Sequence, residues 1–197
     1  MFLSVLALGV GTFWLWERRE RDLQTIAVLG LWLMPVLAAI HQVSEYATPS
    51  WDWKCYVGGA EAVIAGTSPY TDCYLYPPLV AQFMAGTYPW FAWLGEFLAL
   101  NSPKHWVLVF FVWHSSQVLM VALLVYLLNR LGMRQGVDAV AAAALVACLV
   151  IVSTPIERTI RHNQVNLVVL NLALLGIDRA RVRAGLSGAL VGLAAHI

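Results

Sequence analysis

Seven apolar runs, at about 1–16, 24–43, 79–100, 106–128, 137–153, 165–177 and 184–197, alternate with short polar stretches, and few kinds of fold can absorb that pattern. The hydrocarbon core of a bilayer is about 30 Å thick, and a helix rising about 1.5 Å per residue crosses it in about 20 apolar residues. Charged residues make up 12% of the chain, against about 25% in a soluble domain, while 60% of the chain is hydrophobic. A soluble globular domain is therefore excluded. The pattern predicts an all-α, polytopic helical membrane protein, with 1–197 forming a single membrane module. A formal charge of +1 leaves no basic surface for nucleic acid. Cys55, Cys73 and Cys148 show no C-x-x-C spacing and no accompanying histidine pair, which argues against a zinc site.

Orientation turns on the run 79–100. If that run does not cross, Arg18, Arg19, Arg21, Arg130, Arg134, Arg179, Arg181 and Arg183 share one side, and only Lys54, Lys104, Arg158 and Arg161 lie on the other. If it crosses, the twelve bases split evenly. Positive residues collect on the cytoplasmic side, so the unequal split is favoured. The run also carries Pro89, Thr87, Tyr88 and Glu96. It is therefore read as an in-plane or re-entrant segment within one long outer loop, 44–105, leaving about six spans. Met1 to Trp16 is followed by Glu17-Arg18-Arg19 where a cleavage site would need small residues, so it reads as a span that starts outside. Trp14, Trp16, Trp51, Trp53, Trp90, Trp93 and Trp106 fall near span ends or in the loop, where indole rings anchor at the headgroup level. Ala184, Gly188 and Gly192 place small residues at every fourth position of the last run, a face that another helix of the chain could approach closely.

Two polar stretches then lie on the outer side. The first contains Trp51-Asp52-Trp53-Lys54-Cys55-Tyr56, an alanine- and glycine-rich helix reaching Gly66, and Tyr74-Leu75-Tyr76-Pro77-Pro78. Gly66 reads as a helix stop, Pro69 as turn chemistry and Pro78 as a first-turn proline. Asp52 is either an N-cap for the helix starting near Trp53 or a general base; Cys55 occupies the place where a capping box would have Glu or Gln. The second stretch runs from Pro155 to Asn166 and gathers Arg158, Arg161, His162, Gln164 and Asn166 at the start of a span. Arginines beside helix-start amides suit a phosphate, although a solvated interfacial turn would use the same residues. Glycoside hydrolysis ordinarily takes two carboxylates, whereas transfer from a sugar phosphate needs one base, because phosphate leaves readily as an anion.

Together these residues resemble the polyprenyl-phosphate-mannose-dependent mannosyltransferases of glycosyltransferase family 87, in the GT-C superfamily. The resemblance rests on Asp52-x-x-x-Tyr56, on Gly66-x-x-Pro69-Tyr70, on Tyr74-x-Tyr76-Pro77-Pro78-Leu79 and on Gln164-Val165-Asn166, in that order from about residue 45 to the end. Asn163 stands where the family usually has glycine. The resemblance implies a GT-C-like membrane fold and a plasma-membrane, multi-pass enzyme with its active site on the outer face. Asp52 would be the catalytic base. The donor would be a polyprenyl-phosphate sugar and the acceptor a lipid or glycolipid, with inversion at the sugar carbon. Relatives continue for several more spans, so 1–197 would correspond to an N-terminal half.

On that basis Arg158, Arg161 and His162 are expected to stabilise the departing phosphate, Gln164 and Asn166 to position oxygens, and Tyr56, Tyr70 and Tyr76 to wall the sugar site or pack at the interface. No Asp-x-Asp pair is present for a divalent cation, so neither a metal nor a cofactor is expected. Cys55 and Cys73 would face an oxidising compartment either as a disulfide or as free thiols. A non-catalytic membrane subunit remains an alternative. A transporter ranks last, since the runs 106–128 and 137–153 contain only His114 and the terminal Asp138 as ionisable groups.

Overall fold

The computed structural model describes residues 21–70, 73–97, 105–180 and 182–197. The expected span at 1–16 lies outside these. Among the described residues there are eight helices: α1 (Arg21–Glu45), α2 (Trp51–Ile64), α3 (Pro78–Phe97), α4 (His105–Arg134), α5 (Ala139–Ile151), α6 (Thr154–His162), α7 (Asn166–Arg179) and α8 (Ala184–His196).

The helix α1 shows why the bilayer is the solvent. Ala27, Leu31, Pro35 and Ala39 form a buried stripe at every fourth position, whereas Ile26, Leu29, Leu33, Leu37 and Ile40 are exposed. In water, such a continuous apolar outer face would drive association. Against lipid it costs nothing. Pro35 is tolerated within the helix because neighbouring helices enclose that stripe.

Two helices are long and apolar enough to cross a membrane, over Gln24–Glu45 and Trp106–Arg134. The pair α5 and α6 adds a third if its two parts, bent by 53°, form one span. Six spans are therefore not reached among the described residues. One cause is helix length. The helix α7 has 14 residues, which at 1.5 Å per residue extend only roughly 20 Å, well short of the core. The run 137–153 is likewise interrupted. Its helix α5 begins with Asp138 accepting from the amides of Val140 and Ala141, and ends at Ile151. Pro155 then has no N–H with which to continue the ladder, and α6 restarts beneath the Ser153 cap. The helix α3 is not among the candidate spans found in the described residues.

Among the described residues packing forms three core clusters, the smallest joining Leu31 of α1 to Val140, Ala143 and Ala147 of α5. Another joins Ala39 of α1, Val121, Leu124 and Val125 of α4, Val146 and Val150 of α5, Ile160 of α6 and Leu167 of α7. The third joins Trp53, Tyr56 and Ala60 of α2, Tyr74, Val80, Ala81 and Met84 of the loop and α3, Val109 and Phe110 of α4, and Val165. This third core gives α2, the Tyr74–Pro77 turn and α3 a fixed position on the end of α4. Within it Tyr74 is buried and its hydroxyl donates to the Pro77 carbonyl at 2.6 Å while accepting from the Ala81 amide at 3.0 Å. The tyrosine thus pins the Tyr-Pro-Pro turn to the first turn of α3.

The expected small-residue face of α8 is corrected. A Cβ at Gly188 or Gly192 would meet nothing within 4 Å. The close approach between α7 and α8 uses Gly176 instead, where a Cβ would lie 2.8 Å from Val191 Cγ2 and 3.2 Å from the Ser187 carbonyl oxygen. Gly176→Ala is accordingly expected to destabilise the α7–α8 pair by about 1–3 kcal/mol. Gly188→Ala, on an open face, should change stability by no more than about 0.5 kcal/mol. Denaturant unfolding of the detergent-solubilised protein, followed by circular dichroism, compares the two.

Candidate functional site

The two polar stretches meet. At the start of α2 the cap is Ser50, whose Oγ accepts from the Trp53 amide at 3.2 Å and donates to the His162 carbonyl at 2.6 Å. The capping alternative for Asp52 is thereby overturned, because a residue two positions earlier already occupies the N-cap. Asp52 lies in the first turn, where the positive end of the helix dipole favours a carboxylate. Its half-buried side chain is turned to the other stretch, and Oδ2 accepts from Gln164 Nε2 at 2.8 Å. Gln164 Oε1 in turn accepts from Asn166 Nδ2 at 2.8 Å. A carboxylate and two amides therefore form one chain of hydrogen bonds, although Asp52 and Gln164 are separated by 112 residues.

Local backbone geometry fixes Gln164. The helix α6 ends with Asn163 in the left-handed region at φ 58° and ψ 33°. The Asn163 amide donates to the Ile160 carbonyl and the Gln164 amide to the Thr159 carbonyl, the paired bonds of a Schellman ending. Asparagine and glycine are the residues that adopt this conformation most cheaply, so Asn163 fills the backbone role that glycine has in the resemblance. Trp113 of α4 donates from Nε1 to the Asn163 carbonyl at 3.0 Å, clamping the turn to a membrane-spanning helix.

Arg158, Arg161, His162, Gln164 and Asn166, with Thr154 and Pro155, line an open cavity of about 820 Å³. Thr159 and Ile160 face the core, so α6 presents its arginines and histidine outward. The Arg161 guanidinium also lies 5.3 Å from the centre of the Tyr46 ring. All five residues expected from the second stretch are thus brought together, with Asp52 attached through Gln164.

The tyrosines divide. Tyr56 is buried, its ring centre 4.8 Å from that of Tyr76. Burial pushes the Tyr56 phenol far above its ordinary range, and the neighbouring Tyr76 and Asp52 push it further in the same direction, so it stays a neutral hydroxyl. Tyr70 is exposed and packs on Tyr74, at 6.1 Å between ring centres. The open question about the cysteines is settled in favour of a disulfide, Cys55 to Cys73, which ties α2 one turn beyond Asp52 to the residue just before Tyr74. Behind Tyr56 and Val165 lies a second, apolar cavity of about 330 Å³, also bordered by Trp53, Met84, Phe83 and Val112. Among the described residues, no three His, Cys, Asp or Glu side chains cluster as a metal site requires.

A family model described as Glycosyltransferase family 87 matches residues 74–197, more than half of the chain. The chain belongs to glycosyltransferase family 87. As a family 87 protein with membrane-spanning helices it is a membrane glycosyltransferase. The matched segment contains Tyr76 and the whole α6–α7 cavity, while Asp52, Tyr56 and Tyr70 precede it. No curated protein and no solved structure matches the chain.

Ser50, Trp113 and Asn163 are the residues of this family 87 site that sequence reasoning did not select. Ser50, as a favoured cap residue at a helix start, and Asn163, standing where the resemblance has glycine, each carried a local signal. The left-handed turn gives a direct test. Asn163→Gly should preserve both stability and transfer, whereas Asn163→Val should cost about 1–3 kcal/mol, because a branched side chain is strained at positive φ. Thermal unfolding of the two variants side by side measures the difference.

Proposed function

We propose that this family 87 enzyme transfers a hexose, mannose by the resemblance, from a polyprenyl-phosphate donor to a lipid or glycolipid acceptor, with inversion at the anomeric carbon. Asp52 is the general base. It takes the proton of an acceptor hydroxyl as that oxygen bonds to the anomeric carbon, and the bond from that carbon to the phosphate oxygen breaks on the opposite face. The polyprenyl phosphate leaves with the bonding pair. Arg158, Arg161 and His162 offset its charge, and Gln164 and Asn166 hold sugar or phosphate oxygens. Tyr56 and Tyr76, with Tyr70 at the margin, wall the sugar. Neither a metal nor a cofactor takes part.

The observation that carries this reading is the 2.8 Å bond from Gln164 to Asp52, which joins that carboxylate to the arginine- and histidine-lined cavity. The apolar cavity beside Tyr56 supports a lipid-linked donor, since it offers a dry surface for the first isoprene units next to the polar one. The arginine distribution and the disulfide both favour an outer-face site in the plasma membrane, because a disulfide needs an oxidising compartment.

Transfer by membranes containing the full-length protein should proceed from radiolabelled polyprenyl-phosphate mannose and fail with a nucleotide-linked mannose. The opposite preference would reject the lipid-linked donor. Impermeant thiol labelling of single-cysteine variants at positions 47 and 158 should reach both from outside the cell. Labelling from opposite sides would separate the two halves of the site.

A further inference from the structure

Far from Asp52, at the other end of α4, a second charged group is assembled. Asp178 of α7 is buried, with its side chain 1% exposed, and three guanidiniums converge on it. Arg130 Nε lies 3.0 Å from Asp178 Oδ1, Arg134 pairs with the same oxygen, and Arg179 Nε lies 3.6 Å from Oδ2. Arg134 also donates to the Asp178 backbone carbonyl at 2.8 Å, and Arg130 to the Tyr126 hydroxyl at 2.8 Å. The three arginine side chains keep 31%, 43% and 41% of their surface exposed.

Among the described residues the charges of this group do not balance. Three guanidiniums meet one carboxylate, and the C-terminal ends of α4 and α7 each contribute only about half a negative charge. Roughly one full positive charge is left. Donors are also in excess, because each guanidinium has five N–H groups and one carboxylate has about four lone-pair positions. An internal ion pair would need one arginine. The surplus faces outward.

Depth identifies what it faces. From Trp113, at the level of the Asp52 site, to Arg134 the helix α4 rises roughly 31 Å, the thickness of a hydrocarbon core. The arginines therefore stand at the opposite headgroup level. On the same stripe of α4, Tyr126 and Met133 are exposed, as is Ile177 beside Asp178 on α7. A guanidinium cluster flanked by exposed apolar side chains matches a phosphate carried on acyl chains better than a free ion.

We propose that Arg130, Arg134 and Arg179 form a binding site for the phosphate headgroup of an anionic phospholipid, on the membrane face opposite Asp52. Asp178 orients the three guanidiniums and the lipid supplies the missing negative charge. The site is independent of the transfer reaction.

The test uses the full-length protein purified in detergent and its thermal unfolding with added phosphatidylglycerol, phosphatidylcholine or inorganic phosphate. Phosphatidylglycerol should raise the midpoint and phosphatidylcholine should not. The variant Arg130→Gln/Arg179→Gln keeps the Arg134–Asp178 pair, so the carboxylate is not orphaned, and it should lose at least about tenfold of the preference for the anionic lipid. Should that variant fail to fold, Arg179→Gln alone, which removes the most distant partner, should shift the preference in the same direction. Equal effects of the two lipids on the wild type would overturn the proposal, as would a preference unchanged in the variants. A shift produced equally by inorganic phosphate would assign the site to a soluble anion and overturn the lipid.

Discussion

Asp52→Asn is expected to lower the rate of transfer by about 10²- to 10⁴-fold, the contribution typical of a positioned general base. The substitution is nearly isosteric, and an asparagine oxygen can still accept from Gln164 Nε2. The hydrogen-bond chain to Asn166 and the Ser50 cap are therefore kept. What disappears is the capacity to take a proton. The loss should fall on kcat, with the KM for the lipid-linked donor changing little, and the unfolding midpoint should stay close to that of the wild type. A variant that transferred at the wild-type rate would remove Asp52 from the role of base. Asp52→Glu restores a carboxylate but displaces it by a methylene, so partial activity is expected; loss of orientation alone can cost a large factor.

Removing the disulfide should have the largest effect on stability. Cys55 and Cys73 are 18 residues apart in sequence, and closing a loop of that size contributes about 3 kcal/mol in the chain-entropy model. Cys55→Ser/Cys73→Ser should unfold at correspondingly lower denaturant, and the wild type treated with reductant should behave like the variant. Among the described residues, what then still holds the Tyr74–Tyr76 turn to α2 is ring contacts, an interaction between the Tyr56 and Tyr76 hydroxyls, and close packing of Gly59, where a Cβ would lie 2.6 Å from the Tyr74 ring. Transfer should fall as Tyr76 loses its fixed place beside Tyr56. Alkylation of Cys55 and Cys73 with and without reductant, read by mass spectrometry, reports the pairing directly.

Features governed by hydropathy and local chemistry were legible in the sequence. The long apolar runs at 24–43 and 106–128 appear as α1 and α4, because sustained apolar length is itself the physical requirement for crossing. Gly66 stops the Trp51–Ile64 helix at positive φ, as a turn-forming glycine should. The convergence of the Arg158–Asn166 stretch with Asp52 was legible only through membrane sidedness.

Other features depended on contacts that no local pattern encodes. Ser50 and Asp52 are both good caps two residues apart, and only the distant carbonyl of His162 and amide of Gln164 assign them different roles. The glycine stripe of α8 marked a smooth face without indicating what would lie against it, and the tight contact fell on Gly176. The run 165–177 was apolar enough to suggest a span, but the helix it forms, Asn166–Arg179, is too short to cross unaided.

The apolar cavity beside Tyr56 is bordered by Phe83 and Val112, both of which are exposed. Under the proposed function, a prenylated donor need not leave the hydrocarbon to arrive at Asp52; it slides in sideways. Encounter is then two-dimensional. Turnover should follow the mole fraction of donor within the bilayer, and diluting vesicles with inert lipid at constant bulk donor should slow the enzyme as though substrate had been withdrawn.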